Sequence, residues 1–258
     1  MADAMEGYSV RRFTGPLAEG RSVSHDVYER GEGPPIVIIQ EMPGIGPETL
    51  RLSERFIDEG FRVVLPHLFG PLGRVSTLGN AARVFCLRRQ FHLFAKDASS
   101  PIVNWLKALC HDVRDREGVD GVGVIGMCLT GNFAISLMAD DSVLAGVASQ
   151  PSLPFFDQSA LHMSDEEVMR ATARLDEQGA MMALRFAGDK VCTAAKFDAI
   201  AQRFNTEDKQ RIHLETLPGD GHSVLTLDFF DEDGHPTRNA LDEVLRYFAD
   251  KLRAATAV

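Results

Sequence analysis

The sequence is short of positive charge, of paired cysteines and of long apolar runs. None of its apolar stretches approaches the ~20 residues a helix needs to cross a bilayer, and no basic-then-apolar leader pattern opens it. Neither a membrane protein nor an exported one is therefore expected, and a reducing cytoplasm is the expected location. Lys and Arg together number 27 against 37 Asp and Glu, a formal net charge of −10. That field repels nucleic acid and anionic membrane, so neither is an expected partner. The four cysteines, Cys86, Cys110, Cys128 and Cys192, form no CxxC pair, which removes the usual pattern of a zinc ribbon or a dithiol redox centre. Internal repeats, low-complexity tracts and linker-like stretches are also missing. What is present is 258 residues with 45% hydrophobic content, enough for one substantial core without disulfides or metal. One domain spanning 1–258 is expected, with 1–20 a polar, glycine-bearing surface arm.

Short apolar strands alternate with helical patterns along most of the chain. Ser22–Glu29 reads as a strand, and Ile36–Ile39 is a continuous β-branched run of the kind buried on both faces of a parallel sheet. A helix carrying Leu50, Leu52, Phe56 and Ile57 follows and ends at Gly60, and Phe61–Leu65 is the next strand, stopped by Pro66. Residues 67–97 fit neither period and are expected to run over the sheet edge. They hold a basic and aromatic cluster, Arg88-Arg89-Gln90-Phe91-His92. Pro101 opens a helix through Trp105, Leu106 and Leu109. Further strands are expected at Val122–Ile125, Leu144–Ala148, Met181–Phe186 and Arg211–Leu217, and further helices at Leu129–Met138, Asp165–Gln178, Val191–Phe204 and Asn239–Leu252. Strands alternating with helices at short joints define an α/β fold with a mostly parallel sheet and helices on both faces.

Three chemically capable side chains fall at the C-terminal ends of these strands, where an open parallel sheet collects its functional loops. Cys128 lies in Gly126-Met-Cys-Leu-Thr-Gly131, a glycine-flanked turn from strand to helix. Asp189 lies in Ala187-Gly-Asp-Lys190 and His222 in Asp220-Gly-His-Ser223. The chain order of nucleophile, acid and base, separated by 61 and 33 residues, is that of an α/β-hydrolase. A thiol attacks well only as thiolate, so Cys128 needs a base; His222 is placed to take and return the proton, and Asp189 to hold the ring in the required tautomer. The amide of Leu129, first in its helix, and that of Met42, just past the first buried strand, are candidate donors to a transient oxyanion. Glu41, at the end of Ile36–Ile39, is expected beside the nucleophile turn, where burial raises its pKa and lets it tune the thiol.

Each of these residues also has a purely structural explanation. A single cysteine at a helix entry is commonly a small buried hydrophobe, Ala-Gly-Asp and Asp-Gly-His are ordinary turn compositions, and Glu41 fits a helix terminus or an arginine equally well. Arg88 and Arg89 suit a solvated face, and His67 and His92 have no assignment. The joint occurrence of three groups at strand ends, in the required order, supports catalysis.

From about residue 20 to residue 252 the chain resembles the dienelactone hydrolase family of cysteine-dependent α/β-hydrolases. The likeness is carried by Ile39-Gln-Glu-Met42 with Gly44, by Gly126-Met-Cys-Leu-Thr-Gly131, by Ala187-Gly-Asp-Lys190 and by Gly221-His-Ser223. It implies Cys128, Asp189 and His222 as a triad, Glu41 as a carboxylate that interacts with the resting thiol until substrate arrives, and Met42 and Leu129 as the oxyanion hole. The implied reaction opens a lactone or enol ester through a thioester. Two positions depart from the family pattern. Thr130 stands where a second elbow glycine is common, and Thr226 stands where the family places one of two arginines that bind a substrate carboxylate.

The second arginine would come from Arg83, Arg88 or Arg89, so Arg88, Arg89 and Phe91 are the expected substrate contacts. Phe85, Leu87, Leu93 and Phe94, with Phe155 and Phe156, are expected either to roof the pocket or to serve as core. The expected partner is a small ester or lactone, anionic or neutral, and the chain acts as monomer or homodimer. No cofactor or metal is expected. The rival expectations are an aryl or other carboxylic-ester hydrolase, an isomerase or transferase using the same nucleophile, and a catalytically silent binding protein of the same fold.

Overall fold

The computed structural model describes residues 5–17, 20–42, 44–73, 100–152, 159–161 and 163–255. Its centre is an eight-stranded sheet in the order β1-β2-β4-β3-β5-β6-β7-β8. The strands are β1 (Ser9–Pro16), β2 (Ser22–Arg30), β3 (Pro35–Ile39), β4 (Arg62–His67), β5 (Val122–Met127), β6 (Val143–Ser149), β7 (Met181–Phe186) and β8 (Ile212–Leu217). From β4 to β8 every neighbour runs parallel, while β2 pairs antiparallel with both β1 and β4. The helices are α1 (Pro47–Asp58), α2 (Pro101–Glu117), α3 (Gly131–Leu137), α4 (Asp165–Gln178), α5 (Ala194–Phe204) and α6 (Pro236–Ala255). Among the described residues no helix is long and apolar enough to cross a membrane.

The continuous apolar strands are explained by helices on both faces. In β3 the side chains alternate: Ile36 and Ile38 enter one core with Leu52 and Phe56 of α1 and Val244 and Phe248 of α6, while Val37 and Ile39 enter the other with Trp105 and Leu109 of α2 and Phe197 of α5. Each such fully buried side chain contributes roughly 1.5–3 kcal/mol relative to an exposed one. The expected α/β-hydrolase architecture is therefore present, and the helix 165–178 and the strand 181–186 have the bounds their patterns indicate. Ser164 starts α4 with a capping box, its hydroxyl accepting from the Glu167 amide while the Glu167 carboxylate accepts from the Ser164 amide.

Several boundaries differ from expectation. Residues 1–20 are not simply a surface arm, because Ser9–Pro16 forms the outermost strand. Its polar composition is that of an edge strand. Phe13 packs edge-on against Trp105, whose indole donates to the Val23 carbonyl at 3.0 Å. Arg11 joins Glu29 at 2.8 Å, and Arg116 of α2 reaches the same buried carboxylate at 2.7 Å. Strand β4 continues through Pro66 to His67; its pairing with β3 ends at Val64, so the proline withholds no donor from that neighbour. Helix α5 starts at Ala194 rather than Val191, and the amides of Val191 and Cys192 just before it donate to Asp189.

Candidate active site

Strand β5 ends at Met127 and the chain enters a 3-10 turn at Cys128–Thr130 before α3 begins, so the expected single helix from Leu129 is in fact two pieces. Cys128 has φ +57°, a left-handed conformation uncommon for a side chain of this kind and characteristic of a nucleophile held on a strained strand-to-helix elbow. The turn closes so tightly that a Cβ on Gly126 would lie 2.0 Å from the Thr130 carbonyl oxygen. Thr130, the departure from a glycine-rich elbow, has a structural role here. Its hydroxyl accepts from the Met127 amide at 2.9 Å and lies 3.0 Å from the Ile39 carbonyl and 3.1 Å from that of Gln40, tying the elbow to the end of β3.

Cys128 is buried but for 8% of its surface. Its Sγ accepts a hydrogen bond from Ser152 Oγ at 3.4 Å, and Ser152 is anchored in turn by its amide to the Cys128 carbonyl at 3.0 Å. Leu129 is the second residue of the turn, so its amide has no carbonyl of an earlier turn to bond. Met42 follows Glu41 directly after β3, half-buried.

The loops after β7 and β8 bring Asp189 and His222 together, with Asp189 Oδ2 2.8 Å from His222 Nδ1. The other carboxylate oxygen, Oδ1, accepts from the Val191 amide at 2.8 Å and the Cys192 amide at 3.0 Å, which fixes the orientation of the pair. Arg185, buried in β7 and stacked over Phe197, donates to the Phe186 carbonyl at 3.0 Å and the Cys192 carbonyl at 3.1 Å, bracing the same loop. Asp228 holds the histidine loop by accepting from the amides of His222 at 2.7 Å and Ser223 at 2.9 Å. Burial opposes a charged imidazole, but the Asp189 carboxylate and then the Cys128 sulfur outweigh it and push His222 up to about 10. Its Nε2 makes no hydrogen bond of regular geometry, although the sulfur lies close enough to favour the protonated ring.

Glu41 is buried, and burial pushes its carboxyl up, against hydrogen bonds from Thr226 and Ser223 and the charge of His222 that favour ionisation. Oε1 accepts from Thr226 Oγ1, and Oε2 accepts from Ser223 Oγ at 3.0 Å and Gln150 Nε2 at 3.3 Å. Among the described residues no hydrogen bond joins Glu41 to Cys128. Thr226, where an arginine was the pattern, is thus a partner of Glu41.

Cys128, Asp189, His222 and Glu41 therefore gather at the C-terminal edge of the sheet, with Leu129 and Met42 in the adjoining backbone. Arg88, Arg89 and Phe91 lie outside the described residues, as do Arg83, Phe85, Leu87, His92, Leu93, Phe94, Phe155 and Phe156. Ser152, Gln150 and Asp228 were not anticipated, and Thr226 was expected only as the place of a missing arginine, not as a partner of Glu41. Gln150-Pro-Ser152 follows β6 at the same sheet edge, so strand-end placement was the available signal for two of them. His111, Asp140 and Asp141 form a group compact enough to hold a metal ion. They sit at the opposite end of the strands, where Asp140 already accepts from Ser142 and Arg114 lies 3.5 Å from Asp141.

An elbow cysteine after β5, an acid after β7 and a histidine after β8 on this sheet define the α/β-hydrolase class. The chain belongs to the Dienelactone hydrolase family, whose pattern it matches over residues 24–252. It is 29% identical over 111 residues to the carboxymethylenebutenolidase of Rhodococcus opacus, a match spanning 43% of this chain and only 40% of that enzyme. Among solved structures it is similar to a putative dienelactone hydrolase from Klebsiella pneumoniae, with TM-score 0.62 and 14% identity over 93% of this chain and 99% of that one. A dienelactone hydrolase-like promiscuous phosphotriesterase from metagenomic libraries gives TM-score 0.64 and 14% identity over 94% and 99% of the two chains. At these identities the structural likenesses establish the fold.

Proposed function

We propose that this protein hydrolyses small carboxylic esters or lactones through a thioester on Cys128. Family membership supports a hydrolase of such substrates. The observation that carries the cysteine assignment is Cys128 at φ +57° on the elbow after β5, on the same sheet edge as a 2.8 Å Asp189–His222 pair.

In this mechanism His222 holds the thiol proton, and the Sγ electron pair forms a bond to the substrate carbonyl carbon. The carbonyl oxygen becomes an oxyanion facing the amides of Leu129 and Met42. Collapse breaks the carbon–oxygen bond of the leaving alkoxide, which takes the proton from His222, leaving a thioester. His222 then deprotonates a water that attacks the thioester, and the released thiolate is restored beside the protonated ring. Asp189 keeps Nδ1 protonated throughout, so that Nε2 does the exchanging.

Turnover of a panel of lactones and aryl esters, with wild type beside Cys128→Ala, tests this. We expect Cys128→Ala to lose at least about a thousandfold in kcat/KM, and the wild type to trap an acyl adduct on Cys128 visible by mass spectrometry. Undiminished turnover by the alanine variant overturns the assignment.

A further inference from the structure

Glu41 and the histidine loop are joined by side-chain hydrogen bonds that a cysteine, histidine and aspartate alone do not require. Both oxygens of the Glu41 carboxyl face hydroxyls on one turn of chain: Ser223 Oγ at Oε2, 3.0 Å away, and Thr226 Oγ1 at Oε1. Gln150 adds a third donor to the carboxyl, at Oε2, and its backbone, at φ +37°, donates its amide hydrogen to the Leu184 carbonyl at 2.7 Å. Asp228 grips the backbone of the same loop through the His222 and Ser223 amides. His222 is therefore held by backbone on one side and by its neighbours' hydroxyls on the other. The sulfur takes its hydrogen bond from Ser152 instead.

A buried carboxyl is costly, and an apolar residue of similar volume would stabilise the fold as well or better. Its retention at this point suits a role in the site. The bonds place that role on the histidine and not on the thiol. We propose that Glu41, Ser223 and Thr226 form a positioning clamp that sets His222 beside Cys128 in the free protein, so that the nucleophile is assembled before substrate arrives. The clamp rests on the assignment of Cys128 and His222 made above. Thr226 acts through Glu41 and His222 and touches no reacting atom.

The test is the rate of iodoacetamide alkylation of substrate-free protein, read at the Cys128 peptide by mass spectrometry, together with kcat and KM on an ester. Thr226→Val keeps the shape and deletes the hydroxyl. Losing one hydrogen bond to a carboxylate is expected to slow alkylation about tenfold and lower kcat about tenfold, with KM within about twofold of wild type. Thr226→Ser restores both. Because Glu41→Gln and Thr226→Val weaken the same link, their combined loss falls short of the product of the single losses. Alkylation of Thr226→Val at the wild-type rate, or fully multiplicative losses in the double variant, overturns the clamp. If Thr226→Val does not fold, Ser223→Ala carries the same expectation. Alkylation needs no substrate, so a protein that turns over no ester but shows the slowed alkylation would refute the ester assignment and leave the clamp standing.

Discussion

Replacing Asp189 with asparagine changes one atom and inverts one hydrogen bond. Oδ1 of the aspartate accepts from two backbone amides, at 2.8 and 3.0 Å, and these hold it in place. The substituted side chain keeps those bonds only by leaving its carbonyl oxygen there, which points its NH2 group at His222 Nδ1. Two donors then face each other unless the ring moves its proton to Nε2, and a ring protonated there cannot accept from Cys128. The carboxylate that outweighs burial is also lost, so the imidazole falls from about 10, and the pairing of charged ring and sulfur goes with it. Together these effects should lower kcat/KM by about 10²- to 10⁴-fold, or about 3–5 kcal/mol of barrier. Both amides remain satisfied, so the variant should fold, but near neutral pH it should melt below wild type because the stabilisation tied to the raised imidazole goes with the carboxylate. The assay is aryl-ester turnover beside a melting curve. A well-folded Asp189→Asn variant within a fewfold of wild type would refute the tautomer argument and, with it, the place of Asp189 in the site.

The raised His222 also predicts how stability follows pH. A histidine that titrates at about 10 in the folded chain and at 6.5 as a free side chain stabilises the fold fully below about 6.5, and that contribution disappears as pH rises through 10. The melting temperature of wild type should therefore fall more steeply between pH 7 and 10 than that of His222→Gln; parallel curves would contradict it. Gly126→Ala should damage both fold and activity. Its Cβ would meet the Thr130 carbonyl oxygen at 2.0 Å and carbon at 2.6 Å, backbone atoms with nowhere to go. A cost of about 3 kcal/mol corresponds to a loss of roughly 6–12 °C in Tm, with turnover down at least about a hundredfold; a variant melting within a degree or two of wild type would show the elbow to be more pliant than its geometry implies.

The buried strands were legible because a strand covered on both faces carries apolar residues without a break, as in Ile36–Ile39. Cys128 and Asp189 were legible because each follows a buried strand, and His222 because it sits in a glycine-bearing turn after the edge strand β8. The edge strand Ser9–Pro16 was not, since most of its residues are exposed and mix polar with apolar side chains in no clean alternation, and its partner Trp105 is some ninety positions away. The split of the helix after Cys128 was hidden because residues 129–138 have good helical spacing, and only the close approach of Gly126 to Thr130 forces the tighter turn. Thr226 illustrates the remaining difficulty: the pattern shows which arginine is missing, whereas the contact of its hydroxyl with Glu41 spans 185 positions and exists only after folding.

The buried Glu29, gripped by Arg11 from β1 and by Arg116 from α2, makes the opening strand costly to remove. Trimming the chain back to residue 17 would take away one of its guanidinium partners and uncover the whole flank of β2, a ready template for intermolecular pairing. Shortened versions prepared for crystallisation or display would accordingly tend to precipitate while their chemistry, at the far end of the strands, stayed intact.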